Sequence, residues 1–317
     1  MSFAANFCAL PEGCVANIIS LTSPPDACRL ALVSNMFRSA AESDAVWERF
    51  FPRDYQEVVA RSDDADAAAA ACQLVGPSKK QMFFRLCEIP ILIDGGLKSF
   101  FLDKWSGKKC YMISARDLDI VWGDTPSYWK WMPLPESRFP EVAELRSVCW
   151  LEIHGKIESS LLSTETNYAA YLVFKFNQGG YGFDDQPAEV SVGISGGGSC
   201  TKSVYLDYAE VGQPRQLHIV PRRVALFSRT RAHLLATKPA PSPKRERSDP
   251  APKERRDGWL EIELGEYFIE GGEIGELEMS LSEVKGGHWK AGLVVQGIEV
   301  RPKRSQVNKR TSTKVEE

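Results

Sequence analysis

Leu260-Glu261-Ile262-Glu263-Leu264 puts an apolar side chain at every second position and a carboxylate between each pair. A strand turns successive side chains to opposite faces, so this period of two gives one face to a core and one to water. Strand-like runs recur at 168–176, 190–194, 277–281 and 293–300. Such a set, beginning near residue 110, predicts a two-layer, mostly antiparallel β-sandwich.

Working outward, the strands are interrupted between Thr237 and Arg256. There Lys238-Pro239-Ala240-Pro241-Ser242-Pro243-Lys244-Arg245 supplies prolines and cations without a core-forming period. Residues 237–256 therefore read as a flexible basic insertion, and 303–317 as a disordered polar tail. Toward the N-terminus the period becomes helical. Val15, Ile18 and Ile19 share one face, Trp47, Phe50 and Phe51 repeat the spacing, and three short helices are expected within 5–52. The first should stop near Leu21, because Thr22-Ser23-Pro24-Pro25 breaks it and restarts a second helix with Ser23 as N-cap. Ser43-Asp44 opens the third and Pro52 closes it. Residues 53–107 read as a linker and a docking helix. Asp63 to Ala71 and Gly76-Pro77 mark the joint, and Ser78-Lys79-Lys80-Gln81 is a capping box whose helix turns Met82, Phe83 and Leu86 inward. The fold class is thus α+β and multidomain, a small helical unit ahead of a β-sandwich.

The chain of 317 residues has a formal net charge of −3, which provides no overall basic field for a phosphate backbone and disfavours nucleic-acid binding. No apolar run approaches the roughly 18 residues that span a bilayer, so no membrane role is expected. Residues 1–10 lack the basic start and apolar run of a signal peptide. The expected location is the cytoplasm, and the basic run Lys244-Arg245, Arg247, Lys253 and Arg255-Arg256 leaves nuclear entry open. The eight cysteines show no CxxC pair, and His154, His218, His233 and His288 show no HExxH spacing. Neither a metal, a disulfide framework nor a cofactor is expected. Gly193 to Gly198 has the glycine spacing of a phosphate loop, yet Ser199 and Cys200 stand where its Lys and Ser/Thr belong. The expectation is binding, not catalysis.

Leu10-Pro11-Glu12, followed by Ile18-Ile19, Leu21, Leu30, Val33, Phe37 and Trp47, resembles an F-box. In that family the Leu-Pro pair and the apolar face of the first helices insert into a Skp-type adaptor, which bridges to a cullin. The implied adaptor-facing residues are Leu10, Pro11, Ile18, Ile19, Leu21, Val33 and Trp47. Ser114-Ala115-Arg116-Asp117-Leu118, the run Trp122 to Trp131, Trp150-Leu151-Glu152-Ile153-His154-Gly155-Lys156-Ile157, Asp257-Gly258-Trp259 and His288-Trp289-Lys290 are similar to the phloem protein 2 and Nictaba-like lectin family, across 108–302. Ser78 through Gly96 is similar to members that carry the F-box fusion.

This resemblance implies binding of N-acetylglucosamine-containing glycans at Trp122 and Trp129, with Glu276 and Glu283 as acidic partners. The chemistry suits those residues, since the C–H face of a pyranose packs on an indole while carboxylates accept from sugar hydroxyls. Strict alternation from Glu276 puts Glu283 on the opposite face unless the strand bulges or ends. Trp150 and Trp259 are assigned to the core. The resulting expectation is the target-recognition subunit of a Skp-cullin-F-box ubiquitin ligase. The alternatives are a free intracellular lectin in defence or sugar signalling, which would not co-purify with the adaptor, and a protein-interaction module without sugar affinity, which would give no signal on a glycan array.

Overall fold

Short polar residues set the boundaries of the N-terminal helices. The computed structural model describes residues 10–62, 78–183, 186–206, 251–272 and 274–304. It opens with α1 (Glu12–Ser20), α2 (Pro24–Leu30), α3 (Asn35–Glu42) and α4 (Asp44–Glu48), followed by α5 (Tyr55–Ala60). The side chain of Ser23 accepts from Asp26 N at the head of α2, as expected. Four helices stand before Pro52 where three were expected, because Ser34 accepts from Phe37 N and so caps one more. Helix α6 (Lys79–Glu88) carries the predicted capping box, with Met82, Phe83 and Leu86 buried. No described helix is long and apolar enough to cross a membrane.

The remainder is a two-layer sandwich in which every pairing is antiparallel. One sheet runs β1 (Ile91–Ile93), β2 (Lys98–Leu102), β3 (Lys109–Ser114), β14 (Ala291–Pro302), β8 (Thr166–Tyr181), β12 (Leu260–Ile269) and β11 (Lys253–Glu254). Strand β6 (Val142–Leu145) branches from β14 and pairs with β5 (Trp129–Met132). The second sheet runs β10 (Ser199–Val204), β9 (Ala188–Ile194), β13 (Glu276–Glu283), β7 (Leu151–Glu158) and β4 (Asp119–Ile120). Leu151, Ile153 and Ile157 of β7 and Leu277, Met279 and Leu281 of β13 point inward, as their alternation requires, to meet Leu172, Phe174, Ile262, Leu264 and Ile298 of the larger sheet. The glycine run 193–198 is the turn of the β9–β10 hairpin and not a phosphate loop.

The alternation at 260–264 holds for the core face, where Ile262 and Leu264 are buried. The opposite face is less wet than the pattern implies. Trp259, Phe139, Met112, Val142, Val173 and Val294 form a second small core over it. Beside that core Glu299, 2% exposed, meets Arg255 at 3.0 Å, Arg138 at 3.5 Å and Arg301 at 2.5 Å, and Glu261 bonds both Arg255 and Arg301. Burial alone would raise the Glu299 carboxyl, but the three guanidinium charges overcome it and bring it down to about 2. The expectation of a flexible insertion therefore fails at its C-terminal end, where Lys253 and Glu254 pair with β12 and Arg255 joins this network. The polar tail likewise starts later than expected, since Lys303 donates its N–H to Asn167 O and pairs with Glu263 and Glu266. Residues 63–77, 207–250 and 305–317, with the rest of the predicted linker, insertion and tail, lie outside the described residues.

The helical unit is seated on one end of the sandwich. Phe83 of α6 is fully buried against Trp47, Phe50 and Phe51. Gly107, in the β2–β3 turn at φ +71°, lies so close to Phe50 O that a Cβ there would stand 2.2 Å from it. Lys109 pairs with Asp54 at 2.8 Å, and Arg61 forks onto both oxygens of Asp94. Arg61 shares a cleft of about 430 Å³ with Glu158 and Glu276, which places the helices at the Glu158/Glu276 end of β7 and β13.

Candidate functional site: an aromatic end of the sandwich

The opposite end is where the chain enters β7 and leaves β13. Strand β4 pairs with β7 through Asp119–His154 and Ile120–Ile153, and Val121 N continues the ladder to Glu152 O. The chain then turns sharply. Trp122 adopts φ +59°, a left-handed backbone that a bulky side chain rarely takes. Hydrogen bonds from Gly123 N to Ile120 O, Thr125 N to Trp122 O and Trp129 N to Thr125 O close the loop. The Trp122 ring remains 44% exposed and leans on Tyr128, with centroids 5.4 Å apart. Trp131 braces the same loop by donating its indole N–H to Gly123 O, and the Arg116 guanidinium lies 3.8 Å from its ring centroid.

The four residues expected to hold a sugar do not converge. Trp122 is exposed, as that role requires. Trp129 is 2% exposed within the main core, its buried indole N–H without a hydrogen-bond partner among the described residues, so its ring offers no face to a ligand. It anchors the Trp122 loop to the core, its backbone N–H donating to Thr125 O. Glu276 and Glu283 are seven residues apart on β13, about 24 Å at the usual strand rise, with only Glu283 at the Trp122 end. The parity argument holds. Glu276 is exposed beside Lys156, whereas Glu283 points inward, 5% exposed, against the ammonium of fully buried Lys290.

Other aromatic residues occupy this end. Trp150, assigned to the core from sequence, is 44% exposed, and Trp289 is 55% exposed. The correction follows from the alternation that fixes β7: with Leu151, Ile153 and Ile157 inward, the preceding Trp150 takes outward parity. Lys290 holds the neighbouring strands, exchanging both backbone bonds with Val148 and donating Nζ to Cys149 O and His288 O. Burial pushes its ammonium below the ordinary lysine range. Trp259, by contrast, is fully buried as expected, donating its indole N–H to Glu136 O.

The adaptor set also divides. Leu10, Pro11, Ile18, Leu21 and Val33 are exposed, joined by Leu32 at 79%, which the motif reading missed. Ile19 and Trp47 are fully buried. Trp47 donates its indole N–H to Ala41 O and packs on Phe83 and Phe84 of α6, so it faces the docking helix and not a partner.

A helical unit with an uncovered apolar face, fused through a docking helix to an antiparallel sandwich with exposed tryptophans at its far end, is the architecture that the sequence resemblance implies. Comparison with known families agrees, phloem protein 2 matching residues 108–302 and F-box-like matching 7–53. The chain belongs to the phloem protein 2 family, in its F-box-bearing form. Among its relatives in Arabidopsis thaliana, the F-box protein PP2-B1 is 43% identical over 95% of this chain and 91% of its own length. The F-box protein PP2-B10 is 42% identical over 95% and 96% respectively. Among solved structures, TmCBM61 in complex with β-1,4-galactotriose is 10% identical over 59% of this chain and 87% of its own, with a TM-score of 0.27, a level at which neither fold nor ligand carries over.

Proposed function

We propose that this chain is the target-recognition subunit of a Skp-cullin-F-box ubiquitin ligase, working in the cytoplasm by binding and not by catalysis. The exposed face of α1 to α3 docks the Skp-type adaptor, and the aromatic end of the sandwich holds glycan-bearing targets. The observation that carries the glycan reading is Trp122: a half-exposed indole, kept in a left-handed backbone by a closed hydrogen-bonded loop that Trp129 anchors to the core. Exposed aromatic rings held rigidly over a scaffold give large contact area at little entropic cost. For the adaptor, the supporting observation is the set Ile18, Leu21, Leu32 and Val33, uncovered apolar side chains on a small unit that has already spent its inner face on the sandwich. The test is a glycan array with the full chain, followed by co-purification with a Skp-type adaptor. Binding to N-acetylglucosamine-containing glycans that vanishes in Trp122→Gly supports the first half, and a blank array refutes it. An adaptor that fails to co-purify refutes the second.

A further inference from the structure

The cleft of about 430 Å³ beside the helical unit contains a stretch of sheet edge that the fold leaves open. Val121 N donates to Glu152 O, so Glu152 turns its backbone polar groups toward the β4 side of β7. These groups alternate in direction along a strand, and His154, Lys156 and Glu158 therefore turn theirs the same way. Strand β4 pairs with His154 through Asp119 and reaches no further, because the residues before it coil into the 3-10 turn Ala115–Asp117. Lys156 and Glu158 are left without a ladder partner on that side among the described residues.

The sides of this cleft differ in chemistry. The inner side is continuous with the sandwich core, through Ile157 at 2% exposed and half-buried Leu161. On the outer side Glu158 stands directly opposite Glu276, and Lys156 is 3.6 Å from Glu276 and 3.1 Å from Glu278. Exposed Asp119 and Glu158 meet no cation among the described residues, the Glu158 carboxylate accepting from the Ser160 hydroxyl. The far wall is already neutralised, since Arg61 forks onto Asp94 and Lys98 meets Asp117 at 2.7 Å. Unused backbone donors and acceptors, an apolar inner side and surplus carboxylate thus occur together, which suits an added strand that brings its own cations.

We propose that the open edge of β7 takes up an extended segment of a partner protein, in line with β4, with an apolar side chain against Ile157 and Leu161 and a Lys or Arg opposite Glu158. Side chains directly opposite in a ladder share a face, which fixes this alternation. The cleft lies at the other end of the sandwich from Trp122, so the inference does not rest on the glycan reading. The probe is a fluorescein-labelled seven-residue peptide alternating valine with lysine, titrated onto the full chain at low salt and followed by anisotropy, with amide hydrogen exchange locating it. Saturable binding is expected, with slowed exchange in the part of β7 that carries Lys156 and Glu158. The double variant Asp119→Asn, Glu158→Gln should bind about three- to tenfold more weakly, as two exposed ion pairs imply, at an unchanged melting temperature. Trp122→Gly should bind the peptide as wild type does, and a peptide with glutamate in place of lysine should not bind. N-methylation of the peptide's backbone amides keeps its charge and removes its ladder donors, so it should abolish binding. Binding that survives N-methylation, or that leaves exchange in β7 unchanged, reduces the contact to charge attraction and overturns the proposal, as does a folded wild type that binds no peptide. A peptide that binds only after residues 305–317 are deleted makes that basic stretch the occupant of the cleft and overturns it equally.

Discussion

Trp129 is the sharpest test of what the buried half of the aromatic loop does. Its ring sits in the main core, 2% exposed, and its N–H has no partner among the described residues. Truncation to Ala removes a full indole and leaves a cavity, a cost of about 3–5 kcal/mol. At two to four degrees per kcal/mol for a unit of this size, the melting temperature should fall by roughly 6–20 °C. Trp129→Phe is the more informative change. It loses part of the buried area but also removes an orphaned donor whose desolvation costs about 1–3 kcal/mol, so the two contributions oppose and the net should lie within about 1 kcal/mol of wild type. Thermal unfolding by circular dichroism gives the stability and calorimetry gives the sugar affinity. If Trp129 is a core anchor, Trp129→Phe keeps both, whereas Trp129→Ala loses affinity only in proportion to the fraction unfolded. A Trp129→Phe variant that melts normally yet binds sugar as poorly as Trp122→Gly would place the ring in contact with ligand and refute the assignment.

Three further outcomes are expected. Trp122→Gly relaxes a left-handed backbone while raising the entropy of the unfolded chain, so stability should stay within about 1 kcal/mol of wild type while glycan binding is lost on an array. Ile18→Asp together with Leu21→Asp puts charges on a face already exposed; adaptor pull-down should fail with the melting curve unchanged, and retained capture would show that the adaptor docks elsewhere. Glu299 is held at about 2 in the fold against an ordinary 4.5. The folded state therefore binds fewer protons between these values, so the stability is fully present above about pH 5 and disappears as pH falls toward 2. At about 1.4 kcal/mol per pH unit the full loss is on the order of 3 kcal/mol, of which about 2 kcal/mol has gone by pH 3; urea midpoints at pH 6 and pH 3 should show that smaller loss in wild type but much less of it in Glu299→Gln.

Much of the architecture was legible because it depends on local rules. The period of two announced β9, β12 and β13, and Ser23, Pro24 and Ser78 marked two helix starts. Strict alternation along β13, which runs without a bulge, separates Glu276 from Glu283. What local patterns do not encode is which outer face another segment covers. Glu261 read as a solvent-facing carboxylate, yet Arg255 from the short strand folded back beside it and Arg301, forty residues on, enclose it. The F-box resemblance turned Trp47 toward the adaptor, whereas its ring partners Phe83 and Phe84 come from a later helix. Trp129 and Trp150 exchanged roles for related reasons: one opens β5 with its side chain in the main core, and the other stands just outside the first inward residue of β7.

The seam between Phe50 and Gly107 touches backbone to backbone, and the fork of Arg61 on Asp94 leaves little freedom around it. The aromatic end lies a full strand length away, at the other pole. A tether of loose chain would let whatever is held there sweep a sphere, so that every acceptor on its surface came within reach at low effective concentration. A stiff β spacer instead samples a narrow cone. On the proposed function, a target gripped at that pole is thus presented at a set bearing from the helices, and which of its lysines meets the transferring enzyme becomes a matter of shape and attachment point.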